Sequence, residues 1–170
     1  MTRYAALARQ AVAEGVVLLK NEAVLPLAPG GRAALFGYAQ FHYYKSGTGS
    51  GGLVNVTHVP NLPEILGGDG GYRLDAEVQA RYAAWLADHP YEMGTGWAQE
   101  PWFQPEMPLD EKFVRAAAQR ADTAFIVIGR TAGEDQDNTN TPGSFLLTED
   151  EENMLALVCR YFNKSVVLLN

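Results

Sequence analysis

The sequence predicts an α/β fold in which a mostly parallel sheet is flanked by helices. Three short apolar runs rich in β-branched residues are typical of strands covered on both faces of a parallel sheet: 33–36, 124–128 and 165–170. Stretches with helical periodicity lie between or beside them: 75–89, 110–120 and 148–162. Alternation of strand and helix favours parallel pairing with right-handed crossovers, so helices are expected on both faces of the sheet.

The first predicted element is a helix that Thr2 caps and that ends near Gly15. Its apolar residues fall on one stripe, which consists of Tyr4, Leu7, Ala8, Ala11 and Val12. Residues 16–21 then have the pattern of an extended segment. Prolines and glycines at 26–31 form a turn before the first strand, which Gly37 closes.

A glycine-rich loop follows, with Gly47, Gly49 and Gly52 in a G-x-G-x-x-G spacing. A dinucleotide site would need this loop to open a helix whose N-terminus faces the pyrophosphate. Residues 53–59 are instead rich in β-branched side chains, and prolines interrupt the chain soon after, so no long helix is expected. We interpret the loop as one kept small so that backbone can approach a ligand, with a flexible surface turn as the alternative.

The central part of the chain contains one clear helix and one irregular stretch. The helix at 75–89 directs its larger apolar side chains inward: Val78, Tyr82, Trp85 and Leu86. Residues 91–108 contain Trp97, Trp102 and Phe103 among three prolines and predict no regular element. Their aromatic side chains either wall a ligand site or, as is commoner, pack under a long loop.

The last helix has a clear start signal. Thr148 and Glu151 match a capping box, in which each side chain bonds to the other residue's backbone N–H. The predicted buried face that follows consists of Met154, Leu155, Val158 and Phe162. Cys159, the only cysteine, is spaced with this face and is predicted to be an inert core thiol.

Composition excludes several function classes. The formal net charge is −7 and no run of Lys or Arg occurs, so we expect no nucleic-acid partner. No apolar window of about 18 residues and no signal-peptide pattern occur, so the expectation is a cytoplasmic protein without membrane partners. The three histidines lack the spacing of a zinc site, and neither a metal nor a cofactor is expected. The sequence leaves open whether the chain forms a homo-oligomer.

The candidate site is the acidic loop at 130–140, directly after the strand at 124–128. It holds Arg130 and three carboxylates, Glu134, Asp135 and Asp137, with no apolar side chain larger than alanine. In open α/β sheets, ligands bind in the crevice beyond the carboxyl ends of the strands. The loop is therefore predicted to lie where function is usually found.

Two other interpretations of this loop stay open. Residues 135–140 present oxygen ligands at alternating positions, as a calcium loop does. However, Asn140 replaces the turn glycine, and Leu146 stands where a bidentate glutamate belongs. The remaining alternative is a non-catalytic α/β binding module whose acidic loop is only a solvated rim.

Several motifs resemble a known family in the right order along nearly the whole chain. They are Gly-Val-Val-Leu-Leu-Lys-Asn-Glu at 15–22, Leu-Pro-Leu at 25–27, Lys-Ser-Gly-Thr-Gly-Ser-Gly at 45–51, Gly-Glu-Asp at 133–135 and Leu-Leu-Thr at 146–148. Together they resemble the α/β sandwich domain of family 3 glycoside hydrolases, the β-glucosidase and β-xylosidase group. The resemblance implies one α/β sandwich domain over 1–170, as part of a longer chain and incomplete after its last strand.

The resemblance also implies the active-site roles. In the family, this domain packs beside a TIM-type barrel that carries the nucleophilic aspartate, and Glu134 would be the acid/base. The turn of Gly49 and Ser50 would reach the sugar, with Lys45, Arg130 and Asp135 as further substrate-binding candidates. The implied partners are that barrel, in the same polypeptide, and an oligosaccharide or an aryl or alkyl β-glycoside. A sandwich that begins at residue 1 is similar to members with permuted domain order, and Gln136 stands where many members have an aromatic residue.

Retaining glycosidases need two carboxyl groups about 5–5.5 Å apart, one as nucleophile and one as proton donor. A proton donor requires a raised pKa. We expect Asp135, Asp137, the aspartate of the barrel and loss of water on domain closure to raise the pKa of Glu134, with Arg130 opposing them if it points the same way. Because the nucleophile lies elsewhere, the chain by itself is expected to be inactive.

Overall fold

The computed structural model describes residues 3–52 and 55–170. Within them a four-stranded sheet has the order β2-β1-β3-β4. The strands are β1 Arg32–Phe36, β2 Arg73–Leu74, β3 Thr123–Ile128 and β4 Ser165–Leu169. All three pairings are parallel, so the carboxyl ends of β1, β3 and β4 lie at one edge of the sheet. The predicted α/β class and parallel sheet are confirmed.

The described helices are α1 Arg3–Gly15, α2 Leu62–Gly67, α3 Ala76–Asp88, α4 Glu111–Arg120 and α5 Glu149–Tyr161. Asp75, Asp110 and Thr148 cap α3, α4 and α5, each accepting a hydrogen bond from the backbone N–H three residues on. The capping box of Thr148 and Glu151 is present as predicted. The predicted cap Thr2 lies outside the described residues. Over residues 3–52 and 55–170, no helix is both long and apolar enough to span a membrane.

Strands β1 and β3 are buried on both faces, as their apolar runs predict. Strand β4 is not, because Val167 and Leu169 are exposed. The larger core joins one face of β1 and β3 to α3, α4 and α5, with Phe36, Tyr82, Ile126 and Met154 at its centre. The smaller core covers the other face, where Leu35 and Phe125 pack against Leu66 of α2. Every residue of β3 is buried, and the loop that leaves this strand therefore starts from a rigid base.

Helix α2 and strand β2 were not predicted from the sequence. Asn61 and Glu64 form a capping box at the start of α2, and Pro63 lies in the first turn, where a missing N–H costs nothing. The prolines therefore start a short helix here rather than only interrupting the chain. Leu53 and Val54 lie outside the described residues, and residues 55–60 form no regular element.

Helix α1 forms as predicted, but none of its residues is buried. The apolar residues 16–19 that follow are exposed as well and belong to no strand. The stripe of α1 therefore finds no core among the described residues. Helix formation follows from the local pattern, whereas burial requires a partner surface.

The prediction that Cys159 is a core thiol is wrong, because its side chain is exposed. The buried residues of α5 are Glu151, Met154, Leu157 and Val158, with Phe162 just beyond the helix. Leu155, from which the spacing of Cys159 was judged, is only half-buried. The centre of the buried stripe is therefore displaced from the predicted one, and Cys159 lies beyond its edge.

Candidate functional site

The acidic loop leaves β3 at the carboxyl edge of the sheet and forms a tight turn around Glu134. The N–H of Gln136 donates to the carbonyl of Gly133 at 3.3 Å, and Asp135 has a positive φ of 60°. Asp residues adopt this left-handed conformation more readily than most others do. The turn presents the Glu134 side chain at the surface, where it is exposed.

The glycine loop after β1 packs directly against this turn. The N–H of Thr48 donates to the carbonyl of Ala132 at 3.0 Å, and Thr48 pairs with Gly133 in a parallel bridge. The N–H of Ser50 donates to Oε2 of Glu134, also at 3.0 Å. The structure thus brings together three of the predicted site residues, Gly49, Ser50 and Glu134, although Ser50 and Glu134 are 84 positions apart in the chain.

Two glycines make this approach possible. Gly49 has a φ of +79°, and a Cβ there would lie 2.6 Å from Cβ of Glu134 and 2.9 Å from its Oε2. A Cβ on Gly133 would lie 2.2 Å from Oγ1 of Thr48. The glycine loop is therefore kept small by its contact with the acidic loop. Its approach to a ligand stays a prediction.

Gly49→Ala is expected to destabilise the fold by about 1–3 kcal/mol, because the new methyl group meets the Glu134 side chain at a positive φ. Gly51→Ala is a matched control two residues away. A Cβ at Gly51 meets no atom within 4 Å, so its effect should stay within about 0.5 kcal/mol. Urea denaturation measures both. Equal losses for the two variants would contradict the close contact described here.

The expected rise in the pKa of Glu134 is not found in this chain. The backbone N–H and then the hydroxyl of Ser50 lower the pKa of this carboxyl, because both hydrogen bonds favour the charged form. The neighbouring Asp135 and Asp137 are exposed, and water screens their charges. The other two effects expected to raise the pKa of Glu134 are an opposing aspartate and the loss of water on domain closure. Both require the surface of a barrel domain, which is not part of residues 1–170.

The side chain of Arg130 is bound at the base of the loop, by Glu151 and by backbone carbonyls. Its Nη1 and Nη2 donate to Oε1 and Oε2 of Glu151, each at 2.6 Å. Its Nε donates to the carbonyl of Ser144 at 2.8 Å. The guanidinium therefore ties the end of β3 to the start of α5. The sequence left open whether Arg130 lowers the pKa of Glu134, and in the structure only Ser50 lowers it. Its role as a sugar ligand stays a prediction, but its contacts are those of a positioning residue.

The other two candidates are exposed. Asp135 is adjacent to Glu134 on the turn, and Lys45 lies four residues before Gly49 in the glycine loop. Their contact with a substrate stays a prediction. Among residues 3–52 and 55–170, no group of three or more His, Cys, Asp or Glu side chains is arranged to hold a metal ion. The amide of Gln136, within the calcium-like segment, donates instead to the carbonyl of Ala98.

A buried carboxylate that no sequence pattern indicated, Glu106, supports the same edge of the sheet. Glu106 accepts hydrogen bonds from the N–H of Tyr38 at 2.7 Å, the N–H of Met107 at 2.8 Å and the hydroxyl of Tyr82 at 3.1 Å. Burial raises the pKa of Glu106 to about 7. Because Tyr38 lies two residues after the end of β1, these bonds fix the start of the chain segment that leads to the glycine loop. No motif marks Glu106 in the irregular stretch at 91–108.

A second unpredicted contact anchors the glycine loop from the end of β4. The side-chain oxygen of Asn170 accepts from the N–H of Tyr44 at 2.6 Å, and its amide donates to the carbonyl of Tyr44 at 3.1 Å. Tyr44 precedes Lys45, the first residue of the predicted loop motif. The glycine loop is therefore held at its start by β4 and further along by the acidic loop.

Comparison with known proteins shows the family to which the chain belongs. The family model of the glycosyl hydrolase family 3 C-terminal domain matches residues 16–170. A β-glucosidase of Ruminococcus albus is 50% identical over 158 residues, which are 93% of this chain and 17% of that protein. β-Glucosidase A of Butyrivibrio fibrisolvens is 34% identical over 188 residues, covering 95% of this chain and 22% of that protein.

Solved structures show the same likeness in three dimensions. A β-glucosidase from Paenibacillus barengoltzii superposes with a TM-score of 0.93 at 44% identity, covering 100% of this chain and 18% of that one. β-Glucosidase 3B from Thermotoga neapolitana, in complex with α-D-glucose, gives a TM-score of 0.84 at 34% identity over 99% of this chain and 24% of its own. The chain thus spans only about a fifth of the length of these relatives. In sequence and in fold, the chain belongs to the family of glycosyl hydrolase family 3 C-terminal domains.

Proposed function

We propose that this chain is the domain of a retaining β-glycosidase that supplies the general acid/base, Glu134, and part of the sugar-binding site. The substrates are terminal β-glucosides or β-xylosides, as oligosaccharides or as aryl or alkyl glycosides. The observation that carries the proposal is the contact between the carboxylate of Glu134 and the turn of Gly49 and Ser50. A carboxyl group and a loop suited to contact a sugar lie together at the carboxyl edge of a parallel sheet, which is the usual place for a ligand site in this class.

In the proposed reaction, Glu134 gives its proton to the glycosidic oxygen as the leaving group departs. A carboxylate from a barrel domain of the same polypeptide attacks the anomeric carbon and forms a glycosyl-enzyme intermediate. Glu134, now ionised, takes a proton from the water that hydrolyses this intermediate. The hydrogen bond from the N–H of Ser50 stabilises the ionised form, which is the form needed in this second step.

The first step needs a protonated Glu134. The rise in pKa that keeps this carboxyl protonated would come from the barrel domain. Packing of a barrel against this exposed side chain would remove water and bring a second carboxylate near it, and both effects raise a carboxyl pKa. Ser50 would contact the sugar through its hydroxyl, and Lys45 and Asp135 would lie at the rim of the same site. Arg130 would keep the acidic loop in position through Glu151.

The stereochemistry of the product tests the proposal. The complete polypeptide is expected to hydrolyse p-nitrophenyl β-glucoside or the β-xyloside with retention, so proton NMR should show the β-anomer first, before mutarotation. The chain 1–170 alone is the control and should give no turnover above background, since it lacks the nucleophile. Initial release of the α-anomer, or hydrolysis by the chain alone, would refute the proposed mechanism.

A further inference from the structure

The side chain of Asn170 pairs with the backbone of Tyr44 as a neighbouring strand would. Its Oδ1 accepts from the N–H of Tyr44 at 2.6 Å, and its Nδ2 donates to the carbonyl of Tyr44 at 3.1 Å. A carboxamide carries an acceptor and a donor side by side, so it satisfies both backbone groups of one residue. Tyr44 directly precedes the glycine-loop motif, and its backbone is therefore fixed where that loop begins.

The backbone of Asn170 holds the acidic loop at the same point. Its N–H donates to the carbonyl of Ile128 at 3.0 Å, and its carbonyl accepts from the N–H of Arg130, also at 3.0 Å. Ile128 is the last residue of β3, and Arg130 is the first residue of the acidic loop. Asn170 thus binds the start of one loop through its side chain and the start of the other through its backbone.

The ring of Tyr44 packs at the same junction. A Cβ on Gly129 would lie 3.0 Å from Cε2 of Tyr44 and 2.7 Å from Cβ of Ala39, so a side chain at residue 129 would push against both. Gly129 lies between the end of β3 and the acidic loop. The backbone and the ring of Tyr44 are therefore both held against the residues from which the acidic loop leaves the sheet.

The two loops meet again further along. The N–H of Thr48 donates to the carbonyl of Ala132 at 3.0 Å. Two residues later, the N–H of Ser50 donates to Oε2 of Glu134 at 3.0 Å. Both segments between the junction at Tyr44 and these contacts are only a few residues long. The position of the Ser50 turn relative to Glu134 therefore depends on how the two loops are joined at their base.

We propose that Asn170 is a positioning residue that keeps the two loops in register, so that Glu134 faces the glycosidic oxygen of a sugar bound at the Ser50 turn. The inference rests on the proposed function, in which Glu134 is the proton donor and the Ser50 turn contacts the sugar. Asn170 acts through the loops and not on the substrate. A shift of about 1 Å in an active site can cost about 100-fold in rate, so a contact at the base of both loops affects proton transfer.

Asn21 provides a matched control, because its side chain makes the same pair of bonds elsewhere. Its Oδ1 accepts from the N–H of Leu25 at 3.0 Å, and its Nδ2 donates to the carbonyl of Leu25 at 2.8 Å. This pair lies in the segment that leads to Arg32, the first residue of β1, whereas the two loops lie beyond the carboxyl ends of the strands. Loss of such a pair as such should affect Asn21→Ala and Asn170→Ala alike.

The experiment compares methyl β-glucoside with p-nitrophenyl β-glucoside in the complete polypeptide. Methoxide cannot leave without a proton, whereas p-nitrophenolate needs little help. Asn170→Ala should therefore lower kcat/KM about tenfold or more on the methyl substrate and less than about threefold on the aryl one. The ratio between the two substrates does not depend on how much of a variant is folded. Asn21→Ala should leave this ratio unchanged.

Asn170→Asp keeps the size of the side chain and an acceptor for the N–H of Tyr44. Its ionised carboxylate has no donor for the carbonyl of Tyr44. The two loops are therefore expected to lose their register although the volume of the side chain is kept. The ratio between the two substrates should change in the same direction as for Asn170→Ala.

The outcomes separate the two proposals. Equal losses on both substrates would show that Asn170 only supports the fold, and unchanged kinetics would show that the register of the loops does not depend on it. A ratio that changes as much in Asn21→Ala as in Asn170→Ala would also count against a specific role. Each of these results overturns the positioning role and leaves the proposed function standing. Wild-type protein that hydrolyses neither glucoside would overturn both.

Discussion

Glu134→Gln in the complete polypeptide is expected to lower kcat/KM on alkyl β-glucosides by about 10²–10⁴-fold, the usual contribution of a general acid. Glutamine keeps the size of the side chain and an oxygen that can accept from the N–H of Ser50, but it has no proton to give. Substrates with activated aryl leaving groups need little protonation and should lose much less in the step that forms the intermediate. The measurement is kcat/KM against leaving-group acidity, which should be far steeper for the variant than for the wild type.

Asp137→Asn is the control for this prediction, because it removes an exposed carboxylate three residues away in the same loop. It should leave the dependence on leaving-group acidity unchanged. Glu134→Ala adds a second check, since azide can enter the space left by the side chain and should restore part of the rate on activated substrates. A uniform loss across all leaving groups would assign Glu134 a structural role instead.

Glu151→Ala is expected to destabilise the fold by about 3 kcal/mol, because it leaves the charge of Arg130 without its partner. The side chains of Arg130 and Glu151 are only 19% and 5% exposed. The same substitution also removes the acceptor of the Thr148 N–H, so the first turn of α5 loses half of its capping box. The midpoint of urea denaturation should fall accordingly.

Glu152→Ala is the matched control for Glu151→Ala. Glu152 lies in the same acidic first turn of α5, but its side chain is exposed. Its loss should change the free energy of unfolding by no more than about 0.5 kcal/mol. Similar losses for the two variants would mean that the general charge at the helix N-terminus, and not the pair with Arg130, stabilises this region.

Much of the fold could be predicted because its signals are local. The strands at 33–36 and 124–128 are marked by apolar runs that end at glycines, and α5 by Thr148 and Glu151 three residues apart. Such signals act within one turn or one strand, where the sequence already sets the geometry. The same kind of signal, Asn61 and Glu64, was present for α2 but was hidden by the neighbouring prolines.

The site could be predicted only in part. The glycine loop and the acidic loop were each recognised from their composition and from the family motifs, and the parallel sheet predicts that both leave its carboxyl edge. The direction of Arg130 was not predictable, since its partner Glu151 lies 21 residues on, in the following helix. Glu106 and its bond to the hydroxyl of Tyr82 were missed because these two residues are also far apart in the chain. The exposure of Cys159 was missed because it depends on which face of α5 packs against the core.

By itself, the sequence determined strands β1, β3 and β4, the longer helices, the cap of α5 and the chemical character of the two loops, because these depend on side chains a few positions apart. Only the tertiary structure decided that Ser50 reaches Glu134 and that Gly49 leaves room for it. Contacts between distant segments are set by how the elements pack on the sheet, and packing depends on the shape and volume of the whole core.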